Sequence, residues 1–228
     1  MLKEVTKKGK KILTGALPKG RLDWVVISGE GRDNYNEDGK IYQASISWPT
    51  EEADKVEAQI KEYYESMGSD KDQQGGFGMN TGVLVEVEGE EEDVEKFVSP
   101  DKVTSKHKLS GNKQMQFSTN TTFGEGDKAK PNIIDVYNKD ALKVKLPEGT
   151  MIGNGSIGSL QVTIRWGDTA KKQFISRYLN AVLIFKLEEY SAGADFEQDE
   201  SISEEEGFTG FEDPDTGFTG EAEDKVDL

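Results

Sequence analysis

Apolar and polar residues alternate along several short stretches of this chain, which is the two-residue period of a β-strand with one buried face. Segments 40–48 and 160–166 show the alternation most clearly. Strands are predicted at Leu22–Ile27, Lys40–Trp48, Gln114–Ser118, Leu142–Leu146, Leu160–Trp166 and Ala181–Leu187. Clusters of Gly, Asn and Asp separate several of these runs and favour turns between them. The body of the chain is therefore predicted to be mainly β.

One segment has a helical period instead. After Pro49, Thr50 is expected to cap a helix whose first turn carries Glu51 and Glu52. The apolar residues that recur at helical spacing are Ala53, Val56, Ile60, Tyr63 and Met67. Gly68 is placed to end the helix. Many short strands with one packed helix predict a small closed barrel, and the OB-fold is the leading candidate.

Residues 68–112 have no clear period, and we expect irregular excursions or a hairpin there. Within them, Glu86–Glu95 is an acidic run. Because like charges repel, this run should lie away from any groove that binds phosphate groups.

The net charge of −16 is distributed unevenly along the chain. It is +3 over residues 1–50, −12 over 51–101, +6 over 102–194 and −13 over 195–228. An asymmetry of this kind suggests a basic surface for a polyanion beside acidic segments that have another role.

The last segment, residues 195–228, is predicted to be a disordered acidic tail that follows one domain at 1–194. Its acidic residues dominate and its aliphatic residues nearly vanish, so it cannot bury enough apolar surface to offset the entropy of ordering. It could serve only to keep the protein soluble. However, phenylalanines recur within the acid, at 196, 208, 211 and 218, and they favour a role in partner binding.

Several function classes lack their sequence requirements. The chain has no cysteine and one histidine, His107, which excludes thiolate catalysis, cysteine-bound zinc and multi-histidine metal sites. It contains no P-loop, nucleophile elbow or dinucleotide fingerprint. No segment has the pattern of a signal peptide or a membrane span. We therefore expect an intracellular protein that is not an enzyme, with no cofactor, no metal and no membrane partner.

Three stretches of the chain resemble the single-stranded DNA-binding proteins of T7-like bacteriophages. Lys10–Leu17 is similar to the opening strand of that family, with its paired lysines. Ile41–Pro49 resembles the strand that ends in proline before the helix. Residues 152–156 and the strand Leu160–Trp166 resemble a Gly-rich turn and strand late in the barrel. The three occur in the family's order, and the acidic tail follows in the corresponding place.

The resemblance implies an OB-fold-like barrel, a possible homodimer and a location in the cytoplasm of the infected bacterial host. It also implies that the tail binds phage DNA polymerase and helicase-primase. Two features depart from the family. The chain ends in Leu228 where members can end in an aromatic residue, and the acidic run Glu86–Glu95 has no recognised counterpart.

Binding of single strands without sequence preference requires cations along the backbone path and aromatic faces for the bases. The candidate cations are Lys7, Lys8, Lys10, Lys11, Arg21, Lys106, Lys108, Lys113, Arg165, Lys171, Lys172 and Arg177. Each cluster could also be no more than a solvated face. The candidate aromatic contacts are Phe117 and Trp166, although the aromatic residues on predicted strands could equally belong to the core. The candidate partner-binding residues of the tail are Phe208, Phe211, Phe218, Asp227 and Leu228.

The sequence thus predicts a single-stranded DNA-binding protein of phage replication, recombination and repair. We expect the acidic tail to compete with DNA for a basic groove and to recruit replication proteins. The alternative is an acidic DNA mimic or a structural virion protein, which would carry acid over its folded surface.

Overall fold

A computed structural model describes residues 2–34, 39–68, 77–87, 89–90, 92–124, 128–146, 151–169 and 172–188. By internal contacts the chain divides into two units, Met1–Ser191 and Ala192–Leu228. The predicted tail lies outside the described residues, so its disorder and the boundary after residue 194 stay predictions. No helix in the described ranges is long and apolar enough to cross a membrane.

The described residues form mostly β-structure with one α-helix. In chain order the strands are β1 (Lys3–Lys7), β2 (Lys10–Ala16), β3 (Gly20–Val26), β4 (Arg32–Asp33), β5 (Lys40–Pro49), β6 (Met79–Val85), β7 (Val94–Val98), β8 (Lys108–Asn120), β9 (Thr122–Phe123), β10 (Lys130–Pro131), β11 (Asp135–Tyr137), β12 (Lys143–Val144), β13 (Ser156–Asp168) and β14 (Gln173–Lys186). The helix α1 (Thr50–Ser66) follows β5.

Five strands close a barrel in the order β13-β3-β5-β8-β14, because β14 pairs back onto β13. The neighbouring strands are antiparallel, except that β14 and β8 meet in parallel at Tyr178 and Ser118. β2 extends the sheet on β13, and β1 pairs with β2 as an outer strand. This topology confirms the predicted OB-fold-like barrel with one packed helix.

The barrel interior is filled by the apolar positions of the alternating strands. On β13, Leu160, Val162 and Ile164 are fully buried, whereas Gln161 is exposed, Thr163 is partly buried and Arg165 is exposed. Burial of one such side chain stabilises the fold by about 1.5–3 kcal/mol. The predicted two-residue period on this strand is confirmed.

The helix contributes its predicted apolar face to the same core. Ala53, Val56, Ile60 and Tyr63 are all buried against it. The prediction that Thr50 caps the helix is wrong: Thr50 is the first helical residue, and its hydroxyl donates to the carbonyl oxygen of Gly111 at 2.8 Å. The helix ends at Ser66, two residues before Gly68, as predicted.

Tyr63 also ties the helix to two strands. Its hydroxyl donates to the carbonyl oxygen of Lys11 at 2.9 Å and accepts the backbone N–H of Trp166 at 3.1 Å. Burial raises the pKa of the Tyr63 hydroxyl. The buried Tyr63 side chain therefore links the part of β2 that carries Lys11 to the part of β13 that carries Trp166.

Two strand predictions need correction. On β5 the alternation of apolar and polar residues does not separate a buried face from an exposed one. The outward residues Gln43, Ser45 and Ser47 are buried as well, in a polar layer outside the barrel. The predicted strand Leu142–Leu146 is reduced to Lys143–Val144, and the Leu142 side chain is 62% exposed. The backbone N–H of Leu142 donates instead to the side chain of Asn138, in the turn before this short strand.

The predicted hairpin within 68–112 is present as β6 and β7, and Glu95 attaches it to the barrel. The Glu95 carboxylate lies 2.8 Å from the Arg21 guanidinium and accepts the Asn112 side-chain amide at 2.9 Å. The Glu95 carboxylate lies close to Gly82, where an added Cβ would be 3.0 Å from the carboxylate and 2.2 Å from Ser110 Oγ. Burial acts to raise the pKa of Glu95, but these hydrogen bonds and the charge of Arg21 outweigh it and lower the pKa.

We expect Glu95→Gln to lower the free energy of unfolding at neutral pH by about 1–3 kcal/mol, because a charge-assisted hydrogen-bond network is weakened. A carboxyl group with a lowered pKa stabilises the fold above its ordinary pKa of 4.5 and loses that effect as the pH falls. The difference between wild type and variant should therefore shrink below about pH 4.5. Urea denaturation across pH measures this, with Gln in place of the exposed Glu92 as the control. Equal stability of the Glu95 variant and wild type at pH 7 would contradict the assignment.

Candidate nucleic-acid interface

A groove crosses the barrel surface as three adjoining depressions of about 460, 450 and 590 Å³. The first and second share Lys7, Ile12 and Arg165, and the second and third share Thr119 and Tyr178. We name the three depressions, in this order, the lysine end, the middle and the amide bay. Among the described residues, no aspartate or glutamate lines any of them.

The lysine end is built by the hairpin of β1 and β2. Lys8 and Gly9 form its turn with φ angles of 51° and 74°, the left-handed conformation that tight two-residue hairpin turns require. The turn places Lys7 opposite Lys10 across the two strands. The residues that line this depression are Lys7, Lys8, Lys10, Lys11, Ile12, Arg165 and Trp166.

β13 supplies the other wall of the lysine end. Arg165 projects from the outer face of the strand, and its guanidinium lies 5.0 Å from the centre of the Tyr178 ring on β14. The neighbouring Trp166 is half-buried: its ring packs on the core and also lines the depression. A cation and two aromatic rings therefore stand next to the lysines.

Lys7 and Arg165 are the charged residues that line the middle of the groove, and its other described lining residues are uncharged. The Thr14 hydroxyl donates to the carbonyl oxygen of Val162 at 2.7 Å, and the Asn180 amide donates to the Thr163 hydroxyl at 2.8 Å. These hydrogen bonds link β2, β13 and β14 across the groove floor. The floor therefore offers short polar side chains of fixed orientation.

The amide bay is formed by the outer parts of β5, β8 and β14 together with the chain that enters β6. Gln116 donates to the side-chain oxygen of Gln43 at 3.0 Å, and both residues line the bay. Arg177 lies here too, and its Nη1 donates to the carbonyl oxygen of Gly78 at 2.9 Å. Burial lowers the pKa of Arg177. The bay thus contains two arginines, Arg32 and Arg177, among amides and hydroxyls.

Several cations elsewhere on the described surface are paired with carboxylates. Lys113 lies 2.7 Å from Asp54 and 3.4 Å from Glu57. Burial acts to lower the pKa of Lys113, but these two carboxylates outweigh it and raise the pKa. Further pairs join Arg21 to Asp23 and Glu95, Lys40 to Asp33, Lys108 to Asp93, Lys143 to Asp135 and Lys186 to Glu188. Within the groove, Lys11 alone of the described lysines has such a pair, with Glu4 at 2.9 Å.

The structure brings together half of the predicted site. Lys7, Lys8, Lys10, Lys11, Arg165 and Trp166 line one depression, and Arg177 lines the amide bay. Arg21, Lys108 and Lys113 lie outside the groove and pair with carboxylates. Lys106 and Lys172 are exposed but do not line the groove.

Phe117 is a correction, because its side chain is fully buried in the barrel core and cannot stack on a base. Its position on β8 follows the inward parity of Met115, which is buried as well. Lys171 and the tail residues Phe208, Phe211, Phe218, Asp227 and Leu228 lie outside the described residues. The acidic run Glu86–Glu95 contributes no described side chain to the groove, as predicted.

Three features of the site were missed from the sequence. β1 has no alternating pattern, because all five of its residues are exposed. The contact between Tyr178 and Arg165 could not be predicted from the sequence, because it arises from the pairing of β13 with β14. Arg32 lines the amide bay from the short strand β4, which no pattern in the sequence predicted.

We expect charge reversal to separate the groove lysines from the paired ones in their effect on stability. Lys10→Glu should leave the free energy of unfolding unchanged, because this exposed side chain has no acidic partner among the described residues. Lys113→Glu should lower it by about 1–2 kcal/mol, because two ion pairs become repulsive contacts. Thermal or urea denaturation of both variants measures the difference. A larger loss for Lys10→Glu than for Lys113→Glu would be inconsistent with this structure.

Comparison with known proteins gives structural likenesses only. No protein-family model matches the chain, and no curated protein matches it. The structure is similar to the crystal structure of gp2.5, a single-stranded DNA-binding protein encoded by bacteriophage T7, with a TM-score of 0.51 and 14% identity over 82% of this chain and 92% of that one. It is also similar to the single-stranded DNA-binding protein of bacteriophage Enc34 in complex with single-stranded DNA, with a TM-score of 0.48 and 15% identity over 82% of this chain and 96% of that one.

At this level of identity the likeness establishes the fold. It agrees with the resemblance carried by Lys10–Leu17, Ile41–Pro49 and Leu160–Trp166, which lie in β2, β5 and β13. The chain therefore has the barrel fold of the T7 single-stranded DNA-binding protein gp2.5.

Proposed function

We propose that this chain binds single-stranded DNA along the groove formed by the lysine end, the middle and the amide bay. The observation that carries the proposal is the separation of charge on the barrel. The groove gathers lysines and arginines with no acidic lining residue among those described, whereas several other cations of the described surface, among them Lys108 and Lys113, are paired with carboxylates. A cationic groove without acidic lining residues attracts a polyanion, and binding releases the counterions condensed on that polyanion.

The chemistry of the groove fits a single strand. Lys7, Lys8 and Lys10 can neutralise backbone phosphates, because they are exposed and have no described acidic partner. The rings of Trp166 and Tyr178 line the groove and can contact bases, which present an aromatic face whatever their sequence. The fold supports the proposal further, since gp2.5 of bacteriophage T7 is a single-stranded DNA-binding protein.

We expect the wild type to bind oligo-dT with an affinity that falls as salt rises. Lys8→Glu and Arg165→Glu should each weaken binding roughly tenfold at moderate salt, because each replaces an attraction with a repulsion. Neutral variants at the same positions, Lys8→Gln and Arg165→Gln, should lower the slope of log affinity against log salt by about 0.7 per lost phosphate contact. Fluorescence anisotropy titrations at several salt concentrations measure both quantities.

The matched control is Lys139→Glu, which makes the same change of net charge at an exposed residue outside the groove. It should alter affinity by no more than about twofold. Wild type that fails to bind oligo-dT, or a Lys139 variant as weak as the Lys8 variant, would remove the groove as the binding site.

The proposal extends to the acidic segment 195–228. A tethered polyanion has a high effective concentration beside a cationic groove and can occupy it until DNA arrives. Once displaced, it becomes available to basic surfaces of replication proteins, for which phage DNA polymerase and helicase-primase are the expected partners. A homodimer, and a role in replication and recombination in the infected bacterial cytoplasm, belong to the same proposal.

We expect full-length protein in which the acidic residues of 195–228 are changed to their amides to bind oligo-dT about tenfold more tightly at low salt. The gain should disappear at high salt, because screening weakens the competition between tail and groove. Anisotropy titration compares this variant with wild type, and the variant has the same chain length. Equal affinities at low salt would exclude competition by the tail.

A further inference from the structure

Arg177 is held in the amide bay in an unusual way. Its guanidinium lies so close to the backbone of Gly78 that a Cβ at residue 78 would come within 1.9 Å of Nη1. Gly78 has a φ of 82°, which favours glycine for a second reason. The left-handed backbone and the close approach of the guanidinium both favour glycine at this position.

The charge of Arg177 is poorly compensated within the part of the chain that the structure describes. Its recorded partner there is the carbonyl oxygen of Gly78, and no described carboxylate forms an ion pair with it. A guanidinium has five N–H donors, and burial disfavours its charged form. Donors remain for an anion that enters the bay.

The lining of the bay favours a phosphate group over a base. Apart from Arg32, Ile41 and Ile175, its other side chains are largely amides and hydroxyls, which offer hydrogen-bond donors but no flat apolar face. Tyr178 is the one aromatic ring among the described lining residues, and the Arg165 guanidinium lies beside it. The planar fork of an arginine matches two oxygens of a phosphate.

We infer that the amide bay is a phosphate-binding subsite in which Arg177 grips one phosphodiester of the bound strand. This inference rests on the proposed function, since the bay continues the groove through Thr119 and Tyr178. The subsite differs in kind from the lysine end. There, exposed flexible lysines attract any nearby phosphate, whereas Arg177 is fixed and fits one phosphate in one orientation.

The experiment compares Arg177→Lys with wild type in binding to oligo-dT, oligo-dA and oligo-dC over a range of salt concentrations. Lysine keeps the charge but loses the fork, so affinity should fall roughly tenfold while the salt slope stays the same. The loss should be equal for the three oligonucleotides, because a phosphate has no sequence. A variant of the lysine end shows the opposite pattern, with a changed slope.

A second variant keeps the test decisive if Arg177→Lys unfolds at the assay temperature. Gln116→Glu places a carboxylate in the bay at an exposed position and should weaken binding roughly tenfold by repelling the phosphate. Its matched control is Gln161→Glu, the same substitution at an exposed residue of β13 that does not line the groove. Thermal denaturation confirms that each variant is folded.

The outcomes separate this inference from the proposed function. A tenfold loss for Arg177→Lys with an unchanged slope, or a loss for Gln116→Glu well beyond that for Gln161→Glu, supports the phosphate subsite. A folded Arg177→Lys variant within twofold of wild type overturns it, as does a loss confined to one oligonucleotide, which would indicate contact with a base. If wild type itself shows no salt-dependent binding, the proposed function fails first.

Discussion

The pairing of β13 with β2, β3 and β14 is the constraint on which both the barrel and the groove depend. The inward residues of this strand are fully buried in the core, and its outward residues Thr163 and Arg165 line the groove. The two-residue period of a strand imposes both roles at once. A shift of register by one residue would place Arg165 in the core and Ile164 in the groove. The groove is therefore specified by the same packing that closes the barrel.

Charge is arranged on this framework so that acids and bases are not mixed evenly. The β6–β7 hairpin and the helix carry carboxylates that pair with Arg21, Lys108 and Lys113. These pairs contribute to stability and reduce the field that those cations could exert on a distant phosphate. Lys7, Lys8 and Lys10 of the β1–β2 hairpin are exposed and have no acidic partner among the described residues. Their charge is thereby left for a ligand, and a net charge of −16 for the whole chain is compatible with a cationic groove.

Much of the fold could be predicted from the sequence, because the strands and the helix each bury one face. The periods at 40–48, 160–166 and 53–67 all lie on observed elements. The prediction failed where burial does not follow a simple period. β1 is exposed throughout, and the outward face of β5 is covered by a polar layer that includes Gln114 and Asp23. Tertiary contacts, not local pattern, decide burial at these places.

The site was harder to predict than the fold. Lysine spacing along the sequence shows which cations are close to each other but not which ones have acidic partners across the barrel. The family resemblance favoured Lys10 over Lys113, but only the approach of Asp54 and Glu57 to Lys113 shows that its charge is paired. Likewise, Phe117 could be assigned to the core only once the structure showed which face of β8 points into the barrel. Arg177 was predicted as a candidate cation, but its hydrogen bond to Gly78 could not be predicted, because the two residues are 99 positions apart in the sequence.

Lysine footprinting of the full-length protein, with and without oligo-dT, tests the central claim most directly. Acetylation of exposed lysines, read by mass spectrometry, reports which of them the strand covers. We expect strong protection of Lys7, Lys8 and Lys10, and equal modification of Lys108, Lys143 and Lys186 in the two states. Uniform protection of all lysines, or protection centred on Lys108, would contradict it.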